Sequence, residues 1–120
     1  MSAYYSSQFL NNYLLSTVPS DLTVDDFNAF SDYLLKQVQQ KNADYVILDF
    51  SSFQYMDRIE FMRLQKLVKL LALLGAETIC HGLKPGIVSN LVELISDFDG
   101  MIYTPSLETA IDYIEQQDHG

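Results

Sequence analysis

The chain carries, at residues 45–75, the sequence YVILDFSSFQYMDRIEFMRLQKLVKLLALLG. It opens with an unbroken apolar run, residues 45–48, which is typical of a strand covered on both faces in a parallel sheet. Helical spacing of apolar side chains begins at Ile59, continues to Leu74 and stops at Gly75, a permissive helix end. We therefore predict a central strand, a loop and a helix. In open α/β sheets the carboxyl end of such a strand is where ligands and partners usually bind.

The start of this helix has the pattern of a cap. Asp57 can accept a hydrogen bond from the free backbone N–H groups of the first turn, and Glu60, three residues later, can reach back to the cap residue. Losing such a cap typically costs about 1 kcal/mol. The loop from Ser51 to Arg58 is therefore predicted to be held between two rigid elements.

The composition limits the class of protein. With 120 residues, 48% of them hydrophobic, we expect one domain over residues 1–120 with a single core. The sequence shows no bilayer-spanning apolar run and no signal-peptide pattern, and its lone Cys80 fits a reducing compartment, so we expect a cytoplasmic protein. The net charge of −9 argues against nucleic acid and against anionic membrane surfaces as partners.

The N-terminal third predicts a hairpin and a helix. Residues 8–10 and 13–18 form the two strands, because the Asn pair between them tolerates the positive φ of a tight turn. Thr23 and Asp26 form a plausible helix cap, although Glu or Gln is the usual partner. The apolar stripe of that helix comprises Phe27, Phe30, Leu34 and Val38.

The C-terminal half continues the alternation of strands and helices. We predict a strand at residues 78–81, a helix from about 87 to 96, a strand at 101–103, a last helix starting at residues 104–106, and a polar tail from residue 116. The order β-β-α-β-α-β-α-β-α predicts an α/β fold with a mixed, mostly parallel sheet of four to five strands and four helices.

Signatures of catalysis and cofactor binding are weak in this sequence. It has no Gly-rich phosphate loop and no dinucleotide fingerprint. Cys80, His81 and His119 have no recognisable metal-ligand spacing, and Cys80 sits in an apolar strand where a core cysteine is far more common than a nucleophile. Asp49 and Asp57 are explained locally, as a strand-end residue and a helix cap. We expect no enzyme activity, no cofactor and no metal.

The helix after Asp57 has two distinct faces. The predicted core face comprises Phe61, Leu64, Leu67, Val68, Leu71 and Leu74. The opposite face collects four of the seven basic residues, Arg58, Arg63, Lys66 and Lys69, interspersed with Ile59, Met62, Leu70 and Leu73. Lysine stems could simply cover apolar side chains there. We favour a contact surface, because mixed basic and apolar exposure is unusual on an acidic protein. Its predicted members are Ile59, Met62, Arg63, Lys66, Lys69 and Leu73.

Two blocks of sequence resemble the STAS domain of sulfate transporters and anti-sigma factor antagonists. The first comprises residues 46–53 together with Met56 and Asp57. The second comprises residues 73–78, 82–87 and 91–94, and is similar to the stressosome subgroup of RsbS and RsbR type. The similarity covers about residues 9–114, and it implies the STAS (SpoIIAA-like) fold.

The resemblance also implies a function. Proteins of this kind form cytoplasmic assemblies with other STAS proteins and dock a switch-protein Ser/Thr kinase of the anti-sigma type, and phosphorylation of the STAS domain releases the kinase. The main phosphoacceptor position falls on Arg58, and a second position falls on Asn90. Neither side chain has a hydroxyl group, so both switch positions are predicted to be lost.

A phosphate at a helix N-terminus is attracted by the free N–H groups and the helix dipole, whereas Arg58 places a positive charge there. The resulting hypothesis is a bacterial anti-sigma antagonist or stressosome-like scaffold that docks a kinase, self-associates, and either lacks the switch or carries it elsewhere. Ser51, Ser52 or Ser89 could carry it, although loop and cap hydrogen bonding explains these serines more simply. The alternatives are a soluble STAS subunit of a transport complex, or a nucleotide-binding regulatory domain or small enzyme using the same sheet end.

Overall fold

The structure is a computed structural model that describes residues 7–94 and 100–119. Within these residues the chain forms a five-stranded sheet in the order β1-β2-β3-β4-β5. The hairpin strands β1 and β2 are antiparallel, and β2 to β5 are parallel, which confirms the mixed sheet and the element order. The strand bounds are Ser7–Leu10 (β1), Tyr13–Thr17 (β2), Tyr45–Asp49 (β3), Glu77–His81 (β4) and Met101–Thr104 (β5).

Four helices accompany this sheet in the described residues: Val24–Lys41 (α1), Arg58–Leu73 (α2), Pro85–Leu94 (α3) and Leu107–His119 (α4). The predicted polar tail from residue 116 is wrong, because α4 continues to His119. Its last turn is anchored through Asp118, which accepts hydrogen bonds from Asn12 at 2.9 Å and Tyr45 at 3.3 Å. The predicted end of α3 near residue 96 lies outside the described residues.

The sheet is covered on both faces. Val46 and Leu48 of β3 pack with α1, α2 and α3, whereas Ile47 packs with α4 on the other face. All three side chains are fully buried, and each such burial contributes about 1.5–3 kcal/mol. This double coverage is the physical reason for the unbroken apolar run in β3.

Local chemistry sets the ends of the helices. Thr23 caps α1 by accepting a hydrogen bond from the backbone N–H of Asp26 at 3.1 Å, as predicted. At the end of α2, Leu74 is the C-cap and Gly75 has a φ of +89°, a conformation that glycine adopts without strain. Among the described residues, no helix has the length and apolar content needed to cross a membrane.

Candidate functional site

A complete capping box fixes the start of α2. Asp57 has an extended backbone, and its Oδ1 accepts a hydrogen bond from the Glu60 N–H at 2.7 Å. In return, Glu60 Oε1 accepts from the Asp57 N–H at 3.0 Å. Both hydrogen bonds predicted from the sequence are present. They define Arg58 as the first residue of the helix, and the Arg58 side chain is exposed.

The loop before α2 is tied to its neighbours by polar contacts and by two buried side chains. Lys84, in the β4–α3 loop, donates hydrogen bonds to the carbonyl oxygens of Ser51 at 3.0 Å and Phe53 at 2.7 Å. The Ser52 hydroxyl donates to the carbonyl of Val18 at 3.2 Å. Phe53 and Met56 are buried, whereas Ser51 and Ser52 are exposed residues. The loop is therefore positioned by contacts from two other loops.

The β4–α3 loop also approaches the end of β3 closely at Gly82. This glycine has a φ of +83°, and a Cβ atom on it would lie 2.9 Å from Asp49 Oδ1 and 3.0 Å from the Ser51 backbone N. The Phe50 N–H donates to the carbonyl of His81 at 2.9 Å just beside this contact. Only glycine permits such an approach at that backbone conformation. The β3–α2 and β4–α3 loops are thus packed against each other.

The outer face of α2 is apolar and basic. Ile59, Met62 and Leu73 are 61%, 54% and 82% exposed, and Lys66 and Lys69 lie exposed between them. Such a concentration of large exposed apolar side chains on one helix face is uncommon unless a partner covers it. Five of the six residues predicted for the contact surface are therefore exposed. The sixth, Arg63, lies on the flank of the helix.

Two predictions about the faces of α2 need correction. Arg63 is half-buried and borders a small cavity with Phe27, Glu60 and Leu64, so it lies on the flank facing α1. Leu74 was predicted to lie on the core face but is 43% exposed, because α2 ends at Leu73 and the chain turns there.

Asn90, the second acceptor position predicted from the resemblance, lies on the exposed side of α3, as does its neighbour Ser89. The two positions singled out by the resemblance thus belong to different helices. They are connected through the β4–α3 loop, because Lys84 immediately precedes α3 and holds the loop before α2.

Sequence reasoning missed a polar row at the carboxyl ends of the parallel strands. Thr17, Asp49, His81 and Thr104 are paired in register across β2 to β5. His81 Nε2 lies 4.0 Å from Asp49 Oδ1 and, although buried, has no hydrogen-bond partner among the described residues. Each of the four residues is the last of its strand, and this shared position is the signal from which the row could have been predicted.

The arrangement of Cys80 and His81 is unfavourable for nucleophilic catalysis. Adjacent residues of a strand point to opposite faces, and Cys80 lies in the apolar cluster beneath α2. Complete burial raises the pKa of the Cys80 thiol to about 12, so the nucleophilic thiolate is suppressed. Within residues 7–94 and 100–119, no group of three His, Cys, Asp or Glu side chains could hold a metal ion.

The five-stranded mixed sheet with four helices, as seen in residues 7–94 and 100–119, is the fold of a known family. The STAS domain family model matches residues 4–109, and the chain belongs to this family. None of the curated proteins compared with the chain matches it.

Solved structures share the fold at low sequence identity. A variant of RsbS from Moorella thermoacetica superposes with a TM-score of 0.83 at 19% identity, over 98% of this chain and 100% of that one. A chain from a structure of the stressosome, described as a signal integration and transduction hub, gives 0.81 at 20% identity over 96% and 100%. The unphosphorylated anti-sigma factor antagonist SpoIIAA gives 0.67 at 16% identity over 94% and 97%.

Proposed function

We propose that this protein is a non-enzymatic, cytoplasmic STAS interaction module of the stressosome type. In this proposal it docks a switch-protein Ser/Thr kinase of the anti-sigma type and associates with other STAS proteins. The loop from Ser51 to Arg58 and the outer face of α2 form the contact surface, and the kinase docks on the loop and the first turns of the helix, beside Ile59 and Met62. The phosphorylation that releases the kinase from its relatives is absent at Arg58 and Asn90, so docking is constitutive.

One observation carries this proposal: an exposed arginine occupies the first residue of a fully capped helix. The capping box and the contacts of Lys84 hold this position at the surface with little freedom. A helix N-terminus favours negative charge, and a guanidinium there is unfavourable by about 0.3–1 kcal/mol. Arg58 lowers the stability of the fold at a rigid, exposed position, so a functional role explains its presence there more readily than a folding role.

The outer face of α2 supports the same proposal. Ile59 directly follows Arg58 and Met62 lies one turn beyond it, so an apolar contact area adjoins the charged position. Partner interfaces typically combine an apolar centre with a polar rim, and arginine is enriched in them.

Binding to a switch-protein kinase of the same organism, measured by calorimetry without ATP, tests the docking surface. We expect the wild-type chain to bind, and the Ile59→Asp and Met62→Asp variants each to bind about tenfold or more weakly, a loss of 1.4 kcal/mol or more. Leu10→Asp, an exposed apolar residue of β1, is the matched control and should bind as the wild type does. Equal binding by all four proteins would contradict the proposed surface.

A further inference from the structure

The C-terminal half of α2 is a second unpartnered surface, separate from the first turn. Lys66, Lys69 and Leu73 share one side of the helix and are all exposed, and Leu70 lies beside them. Neither lysine forms a salt bridge within the part of the chain that the structure describes. We name these four residues the α2 ridge.

A groove of about 400 Å³ lies on the opposite face of the sheet, between α4 and the β1–β2 turn. Tyr13, Ile111 and Ile114 supply its apolar lining, and Glu115 and Asp118 its carboxylates. The α2 ridge and this groove both lie at the end of the sheet where the parallel strands begin. The α2 ridge is apolar and basic, whereas the groove beside α4 is apolar and acidic.

The distribution of charge along the chain reinforces this opposition. All seven Lys and Arg residues lie between Lys36 and Lys84, and none follows. The whole of α4 therefore carries only acidic charged groups apart from its final histidine, while α2 holds four of the seven cations. The molecule thus has a basic helix on one face and an acidic helix on the other.

These charges discriminate between modes of self-association. A two-fold contact of α2 ridge on α2 ridge would bring like charges together, and a two-fold contact of α4 on α4 would do the same. Placing the α2 ridge of one copy against the groove of the next brings opposite charges together. The spacing also matches, because Lys66 and Lys69 are three residues apart on one helix, as are Glu115 and Asp118 on the other, and such residues are neighbours on a helix surface.

We propose that the protein associates head to tail with further copies of itself, the α2 ridge of one copy docking in the α4 groove of the next. Such a heterologous contact builds a ring if its rotation closes and a filament if it does not. The proposal rests on the proposed function only in taking the outer face of α2 as a contact surface. It leaves Arg58, Ile59 and Met62 available to the kinase.

Sedimentation velocity over a concentration series tests this contact. We expect the wild-type chain to associate, and association to weaken as salt screens the charges. The pair Lys66→Glu with Lys69→Glu, and the single change Glu115→Lys, which spares the hydrogen bonds of Asp118, should each weaken association, the lysine pair about tenfold or more, because each brings like charges together. An equimolar mixture of the two variants should associate again, since each then meets a partner of opposite charge.

The control is Lys36→Glu with Lys41→Glu, which makes the same change in net charge on exposed residues of α1 and should associate like the wild type. Recovery in the mixture requires both variants to be folded, which circular dichroism checks separately. A monomeric wild type, equal effects of the α1 and α2 pairs, or a mixture that fails to recover would each overturn the contact. A monomeric wild type that still binds the kinase would leave the proposed function intact, whereas association without kinase binding would contradict only that function.

Discussion

Gly82 shows how one residue without a side chain can position a neighbouring loop. It brings the β4–α3 loop against Asp49 and Ser51, at a backbone φ that L-residues rarely adopt. The contact is not visible in the sequence, because nothing near residue 82 indicates which distant backbone it will meet. The glycine stands out only when the two loops are seen together.

We predict that Gly82→Ala destabilises the protein by about 1–3 kcal/mol, because the added Cβ is strained both by its φ and by its contact with Asp49. Gly86→Ala is the matched control, since a Cβ there meets nothing within 4 Å and lies in the first turn of α3. Chemical denaturation measures both free energies of unfolding. Equal stabilities for the two variants would contradict the close approach at Gly82.

At the scale of the element, the start of α2 depends on the reciprocal hydrogen bonds of Asp57 and Glu60. This feature could be predicted from the sequence because both partners lie within one helical turn. The same local rule predicted the cap of α1 at Thr23. Caps and turns are decided by neighbouring residues, so sequence reasoning identifies them well.

We predict that Asp57→Ala lowers the free energy of unfolding by about 1 kcal/mol, since the Glu60 N–H loses its acceptor. Asp57→Asn should retain most of the stability, because an amide oxygen can accept the same hydrogen bond. Urea titration followed by far-ultraviolet circular dichroism compares the two. A loss of equal size in both variants would show that the carboxylate charge matters more than the cap.

The loop before α2 depends instead on a contact between distant residues. Lys84 donates to the carbonyls of Ser51 and Phe53, more than thirty positions earlier in the chain. Nothing in residues 82–87 indicates which backbone Lys84 contacts, so its role could not be predicted from the sequence. The pairing of His81 with Asp49 was missed for the same reason, because strand register decides it.

We predict that Lys84→Met costs about 1–2 kcal/mol of stability, because two hydrogen bonds from a charged donor are lost while the apolar stem is kept. Amide hydrogen exchange should quicken in residues 51–56 and remain unchanged in β1. Lys36→Met, which changes an exposed lysine of α1, is the control. Unchanged exchange in the loop would mean that other contacts suffice to hold it.

The whole molecule is a sheet with helices on both faces, and this architecture followed from the alternation of strands and helices in the sequence. In the structure, adjacent side chains of β3 face opposite ways, with Val46 and Leu48 toward α1 and α2 and Ile47 toward α4. The separation of an exposed basic helix from an acidic one on opposite faces required the structure, since residue spacing alone does not say which face each helix covers. The two proposed contact surfaces, the outer face of α2 and the α4 groove, can be recognised only at this scale.

The central claim is that a kinase docks beside residue 58 and finds no hydroxyl group to phosphorylate. Incubating the wild-type, Arg58→Ser and Arg58→Ala chains with the switch-protein kinase and ATP, followed by phosphopeptide mass spectrometry, tests it most directly. We predict near-stoichiometric phosphate at residue 58 of the Arg58→Ser variant alone, with Ser51, Ser52 and Ser89 unmodified in all three chains. An unlabelled Arg58→Ser variant, or stoichiometric phosphate on one of those serines in the wild type, would contradict the claim.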